Sequence, residues 1–142
     1  MEKTNTIQYL KVGVGGFILN KSNEILLLQR KKKPDAGSWS IPGGSVEYEE
    51  TTSEAALREI KEEVNLDCKV SSLLSVTDHF DQNCHWVAVV YILDVVDLLS
   101  LNLNEPTKHS LVQWFSLSDL PENLTLPTKE AISQYLQRYK AR

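Results

Sequence analysis

From Lys11 to Asn20 (KVGVGGFILN) every second position is apolar or small, at Val12, Val14, Gly16 and Ile18, which predicts a strand. The Gly15-Gly16 pair inside it implies either a close backbone approach or a bulge. A turn at Lys21-Ser22-Asn23 leads into Glu24–Gln29, an apolar run that predicts a strand buried on both faces. Arg30–Ser38 is basic and polar, with Pro34 and Gly37 as breakers. After a Gly-rich turn the period changes to 3.6, and a helix is predicted over Thr52–Val64. Strands follow at Lys69–Thr77 and Trp86–Val95, the second rich in β-branched and aromatic residues. A polar loop, Asn102–Ser110, precedes a short strand at Val112–Phe115. Last comes a helix over Lys129–Tyr139, with Thr128 as N-cap and one apolar face of Ile132, Tyr135, Leu136 and Tyr139. Strands and helices mix without strict alternation, which predicts an α+β domain with a mixed sheet covered by helices.

Composition narrows the class. The chain has 142 residues, 42% of them hydrophobic and 24% charged, and shows no repeat or linker, so 1–142 is read as a single domain. Cys68 and Cys84 are too few for a disulfide scaffold and read as reduced thiols, which points to the cytoplasm. The start, MEKTNTIQYLK, lacks a signal-peptide apolar stretch, and the longest apolar run, Val87–Leu93, is too short to span a bilayer. A net charge of −4 argues against binding a nucleic acid polymer, but admits a small anionic ligand beside a basic patch or metal.

The chemistry concentrates in WSIPGGSVEYEETTSEAALREIKEEVNL, residues 39–66. Thr51 and Glu54 can form a capping box for the helix. Glu59, Glu62 and Glu63 fall within an arc of about 100°, beside Thr52 and Ala55. Ala56, Leu57, Ile60 and Val64 form a separate stripe for the core. Carboxylates at this spacing repel, and a hard divalent cation with oxygen ligands, Mg²⁺ or Mn²⁺, would offset that. Arg58 can pair with Glu62 or reach back to Glu50. For a Glu-rich helix taken alone, a solvated acidic face is the simpler account.

The wider spacing changes that balance. Gly44, Glu50, Arg58-Glu59-Ile60, Glu62-Glu63 and Leu66 resemble the Nudix box, G-x5-E-x7-R-E-U-x-E-E-x-G-U with U apolar, at eight of its nine defined positions. Chance odds for such a match are on the order of 10⁻⁶ to 10⁻⁵. The box spans residues 44–66; Trp39–Gly44, Glu24–Arg30, Asn104–His109 and Trp114–Pro121 are similar to further family segments. The later segments and His85-Trp86-Val87 are most similar to the MutT-like branch of small nucleoside triphosphate pyrophosphohydrolases. Two positions depart from the family: Asn65 replaces the last box glycine, and Glu49 stands where glycine is frequent.

The resemblance implies a Nudix fold with a mixed sheet between helices (α/β/α). It also implies a Mg²⁺-dependent enzyme, with Mn²⁺ able to substitute, that hydrolyses a nucleoside triphosphate to a monophosphate and pyrophosphate. ADP-ribose or another nucleoside-diphosphate sugar is the alternative substrate, and a non-catalytic nucleotide-sensing module the alternative class. The implied metal ligands are the Gly43 carbonyl, Glu59, Glu62 and Glu63. Glu59 and Glu62 are the two candidates for general base, with Arg58 in the catalytic set and Gly44 and Glu50 bracing the loop. Arg30 is either a phosphate-binding residue or part of a solvated basic turn with Lys31, Lys32 and Lys33. Glu105 is either an extra acidic group of the site or a surface carboxylate. His79, Phe80, His85 and Trp86 could contact a base, although Phe80 and Trp86 are expected in the core. The partner is a small nucleotide, not a membrane, and the resemblance admits a homodimer.

Overall fold

The computed structural model describes residues 7–32 and 36–139, so Pro34 and the first six residues lie outside the described part. The strands are β1 (Tyr9–Phe17), β2 (Glu24–Arg30), β3 (Trp39–Ser40), β4 (Gly43–Ser45), β5 (Cys68–Asp81), β6 (Cys84–Val95) and β7 (His109–Ser116). The helices are α1 (Thr52–Val64) and α2 (Leu126–Tyr139). Instead of one mixed sheet there are two: a four-stranded sheet ordered β4-β1-β6-β5 and a three-stranded antiparallel sheet ordered β3-β2-β7. The first is mixed, because β1 runs parallel to β6 and antiparallel to β4.

The helices cover opposite faces of both sheets. Ile60 and Val64 of α1 pack with Leu26, Leu28 and Leu93, whereas Ala131 and Ile132 of α2 pack with Ile25, Leu27 and Val90. Strand β2 is therefore buried on both sides, with Ile25, Leu26, Leu27 and Leu28 all at 0% exposure. Each such side chain contributes about 2 kcal/mol of hydrophobic stabilisation. The Gly15-Gly16 pair proves to be a close approach and not a bulge. Its register with β6 is unbroken, and a Cβ on Gly16 would lie 2.7 Å from Leu93 Cδ1.

Helix α1 has the predicted bounds and the Thr51–Glu54 capping box. Helix α2 begins earlier than expected. Pro127 fits its first turn, where an N–H has no helical partner, and Lys129 N–H already bonds the Thr125 carbonyl at 3.0 Å. Thr128 is thus inside the helix, and its hydroxyl accepts from Ile41 N–H at 3.0 Å. The buried stripe of α2 is Thr128, Ala131 and Ile132, and Tyr135 stacks on Phe17, while Leu136 and Tyr139 remain partly exposed. The β5–β6 hairpin extends past the predicted strands and turns at Gln82, whose φ is 41°. Among the described residues no helix is long and apolar enough to cross a membrane.

Candidate active site

The segment from β4 into α1 is cross-braced. Ala55 and Ala56, fully buried, let the helix sit against Val14 of β1, and Thr52 bonds the Tyr91 hydroxyl at 2.6 Å. Arg58 is the hub. Its Nε and Nη2 donate to the two Glu50 oxygens at 2.7 and 2.9 Å, and Nη2 also donates to the Ser45 carbonyl at 3.0 Å. Its Nη1 reaches Glu59 at 3.0 Å and Glu62 at 3.3 Å. Of the two expected partners, Arg58 holds both, and Glu59 as well. The guanidinium drives the Glu50 carboxyl down to about 2. A Cβ on Gly44 would overlap the Glu59 carboxyl, so glycine is what lets that side chain rest on the β4 backbone.

Glu63 is the buried member of the acidic face, 4% exposed. Its Oε1 accepts from Gly43 N–H at 2.7 Å and its Oε2 lies 3.7 Å from His109 Nε2. Burial pushes its pKa up to about 8; the Glu59 and Glu105 charges add to this and the Gly43 N–H opposes it. Glu59 is also raised, by burial first, against the pull of Arg58. Glu62 stays half exposed.

The loop after β6 carries the second half of the site. Asn102 and Asn104 N–H groups bond the Val64 and Glu63 carbonyls at 3.0 and 2.9 Å, and Asn65 Nδ2 bonds the Ser100 carbonyl at 3.0 Å. These bonds satisfy the last carbonyls of α1 and bring Glu105 beside Glu63. Glu105 pairs with Lys108 at 3.2 Å, which raises the lysine's pKa. Burial and the nearby Arg30 charge push His109 down to about 4.

A cleft of about 1180 Å³ runs from Gly43 and Gly44 past Arg30 and over the four-stranded sheet. His79, Phe80 and Trp86 line its far end, with His79 and Trp86 rings nearly parallel at 6.2 Å. Phe80 is 76% exposed and not in the core, because β5 is the sheet edge there. His85 does not line the cleft; it bonds Asp78 at 2.8 Å.

The acidic face fits a hard divalent cation. Glu50, Glu59 and Glu62 share the one Arg58 guanidinium, so negative charge is in excess, and the donors are all oxygen. Among the described residues no three acidic, histidine or cysteine groups already converge on a point, since Arg58 holds Glu59 and Glu62 and Gly43 holds Glu63.

The NUDIX domain family model matches residues 9–137. The chain belongs to the Nudix family. It is 40% identical to the ADP-ribose pyrophosphatase of Methanocaldococcus jannaschii, over 89% of this chain and 73% of that protein. It is 34% identical to the human 8-oxo-dGDP phosphatase NUDT18 over 84% of this chain, but spans only 38% of that protein's length. Among solved structures, the MutT Nudix hydrolase of Burkholderia pseudomallei superposes with a TM-score of 0.82 at 39% identity, covering 88% of this chain and 97% of that one. The chain is thus a Nudix hydrolase of the pyrophosphatase kind.

Both departures from the Nudix pattern sit at left-handed backbone: Glu49 has φ 65° and Asn65 φ 61°. Asn65 caps α1 and tolerates that region; Glu49 has no such dispensation. The structure brings Gly43, Gly44, Glu50, Arg58, Glu59, Glu62 and Glu63 together, and joins Arg30 and Glu105 to them through the surroundings of His109. Sequence reading missed His109 and Lys108 as site residues. Their signal was the Asn104–His109 segment itself, in which they stand four and three residues after Glu105.

Proposed function

We propose that the chain is a divalent-metal-dependent pyrophosphohydrolase whose preferred class is a nucleoside triphosphate, cleaved to a monophosphate and pyrophosphate. The observation that carries this reading is the Glu59 carboxyl of the charged α1 face resting on Gly44, a residue that lines a cleft of about 1180 Å³ shared with Arg30. Glu59, Glu62, Glu63 and the Gly43 carbonyl would hold Mg²⁺, which supplies charge neutralisation at the pyrophosphate and acidifies a bound water. Of the two base candidates, burial favours Glu59, whose raised pKa and fixed orientation on Arg58 suit proton abstraction from water. Arg58 and Glu50 hold that carboxylate in place. Arg30, in the cleft wall, takes the substrate's phosphate charge, and Glu105 supplies a further acidic group beside Glu63. His79 and Trp86 present ring faces to a base. The free thiols of Cys68 and Cys84 agree with action in the cytoplasm.

The similarity to an ADP-ribose pyrophosphatase supports a second reading, with ADP-ribose as substrate. Hydrolysis of a panel of nucleoside triphosphates, oxidised dGTP and ADP-ribose with Mg²⁺ separates the two. Pyrophosphate with a nucleoside monophosphate is expected; AMP with ribose phosphate as the dominant products would move the assignment to ADP-ribose. No release of phosphorus products from any member would refute both.

A further inference from the structure

Lys31 stands in the basic run after β2, where a solvated turn is the simple expectation, yet its polar groups are committed. The register of β2 with β7 shifts between Gln29 and Arg30, and Arg30 then faces His109. One residue further on, Lys31 N–H bonds the Lys108 carbonyl at 2.9 Å, which carries the pairing past the bulge. Its Nζ bonds the Pro106 carbonyl at 2.7 Å, across 75 positions of sequence. A charged donor makes one of the stronger hydrogen bonds. Lys31 thus grips residues 106–108 with both main chain and side chain.

The gripped segment carries Glu105. Lys108 and His109 N–H groups bond the Glu105 carbonyl at 3.0 and 3.2 Å, and Lys108 Nζ pairs with Glu105 Oε2 at 3.2 Å. On the other side, Asn104 N–H bonds the Glu63 carbonyl at 2.9 Å and Asn104 Nδ2 the Lys61 carbonyl at 3.3 Å. Glu105 is therefore suspended between the last turn of α1 and the end of β2, and Lys31 supplies the β2 side. The second carboxylate oxygen, Oε1, is buried with no hydrogen-bond partner. A buried anionic oxygen is costly unless a cation or a donor meets it. Its charge is felt at Glu63, on the acidic face of α1.

We propose that Lys31 is a positioning residue for Glu105: its Nζ latches the Pro106 carbonyl and so keeps Glu105 Oε1 free beside the acidic face of α1, available to a divalent cation. The role rests on the reading of that face as a cation site. It is separable from two other roles for a lysine. A lysine acting through its charge alone would repel the cation, so removing it would tighten binding. A lysine that served only the substrate's phosphates would leave cation binding unchanged without nucleotide.

The test uses the full chain without nucleotide and reads Mn²⁺ binding by electron paramagnetic resonance. Glu105→Gln should weaken Mn²⁺ by about 10-fold. Lys31→Met keeps the side chain's length but has no donor, and should weaken it by about 5-fold, the worth of one hydrogen bond. Lys31→Arg, which retains a charged donor, should restore most of that loss. Combined with Glu105→Gln, Lys31→Met should add nothing, because its effect passes through Glu105. In the metal-free protein, Lys31→Met should also speed amide exchange at Lys108 and His109, whose N–H groups close on the Glu105 carbonyl, by about 5-fold. If Glu105→Gln weakens Mn²⁺ binding but Lys31→Met leaves it unchanged or tighter, the latch is wrong and the cation reading survives. An added loss in the combined variant, or unchanged amide exchange, also overturns the latch. If neither Glu105→Gln nor Glu59→Gln weakens Mn²⁺ binding, the cation reading falls and the proposal with it.

Discussion

Glu63→Gln should stabilise the metal-free protein, and do so most at high pH. The side chain keeps its length and can still accept from Gly43 N–H, now 2.7 Å from Oε1. What it loses is the buried charge. Folding raises the Glu63 pKa from 4.5 to about 8, so the folded chain holds a proton that the unfolded chain releases in that window. Stability from this group therefore falls as pH rises from 4.5 to 8, and the full cost is present above 8. At about 1.4 kcal/mol per pH unit the ceiling is about 5 kcal/mol. Local relaxation around the acid and the desolvation of the new amide leave about 1–2 kcal/mol as the net gain. For a chain of this size that is a rise in Tm of about 3–8 °C. Thermal unfolding in EDTA should show this rise at pH 8.5 and little of it at pH 5. Added Mg²⁺ should raise the wild-type Tm and leave the variant nearly unmoved. Glu54→Gln is the control: on the same helix but in the capping box, it should lower Tm slightly and not respond to Mg²⁺ differently from wild type. A Glu63→Gln variant less stable than wild type in EDTA at pH 8.5, or equally shifted at both pH values, would refute the reasoning.

Two further perturbations probe the loop. Gly44→Ala places a Cβ into the Glu59 carboxyl and should lower kcat by about 100-fold with circular dichroism unchanged; unaltered turnover would mean that the Glu59 position is not needed. Glu49→Gly relieves a left-handed non-glycine residue and should raise stability by about 1 kcal/mol, read as a shift of the urea midpoint at constant m; no shift or a decrease would show that Glu49 makes a compensating contact.

Helix α1, with its acidic face, was fully legible, because its cap, its apolar stripe and its C-terminal Asn65 are all local signals that agree. Strand β2 was legible for the same reason: a continuous apolar run bounded by turns has few alternatives. The division into two sheets was not, since β3 and β4 have two and three residues and exist only through their pairing with β2 and β1. Helix α2 starts at Leu126, ahead of the expected Thr128 cap, because Pro127 is compatible with a helix's first turn. Residue type predicts Phe80 in the core, but its edge position overrides type. The inward orientation of His109 was not legible, because it depends on a bulge opposite Arg30, and a bulge is a property of two strands at once.

The central claim is that the carboxylate face of α1 uses a divalent cation to break a pyrophosphate bond. Its most direct test is the steady-state rate on the best substrate of the panel, with Mg²⁺ and with EDTA, for the wild type, Glu59→Gln and Glu62→Gln. The account predicts turnover that vanishes in EDTA and falls by about 100-fold or more in each variant, with all three proteins equally helical. Full turnover in EDTA, or wild-type rates in both variants, would contradict it.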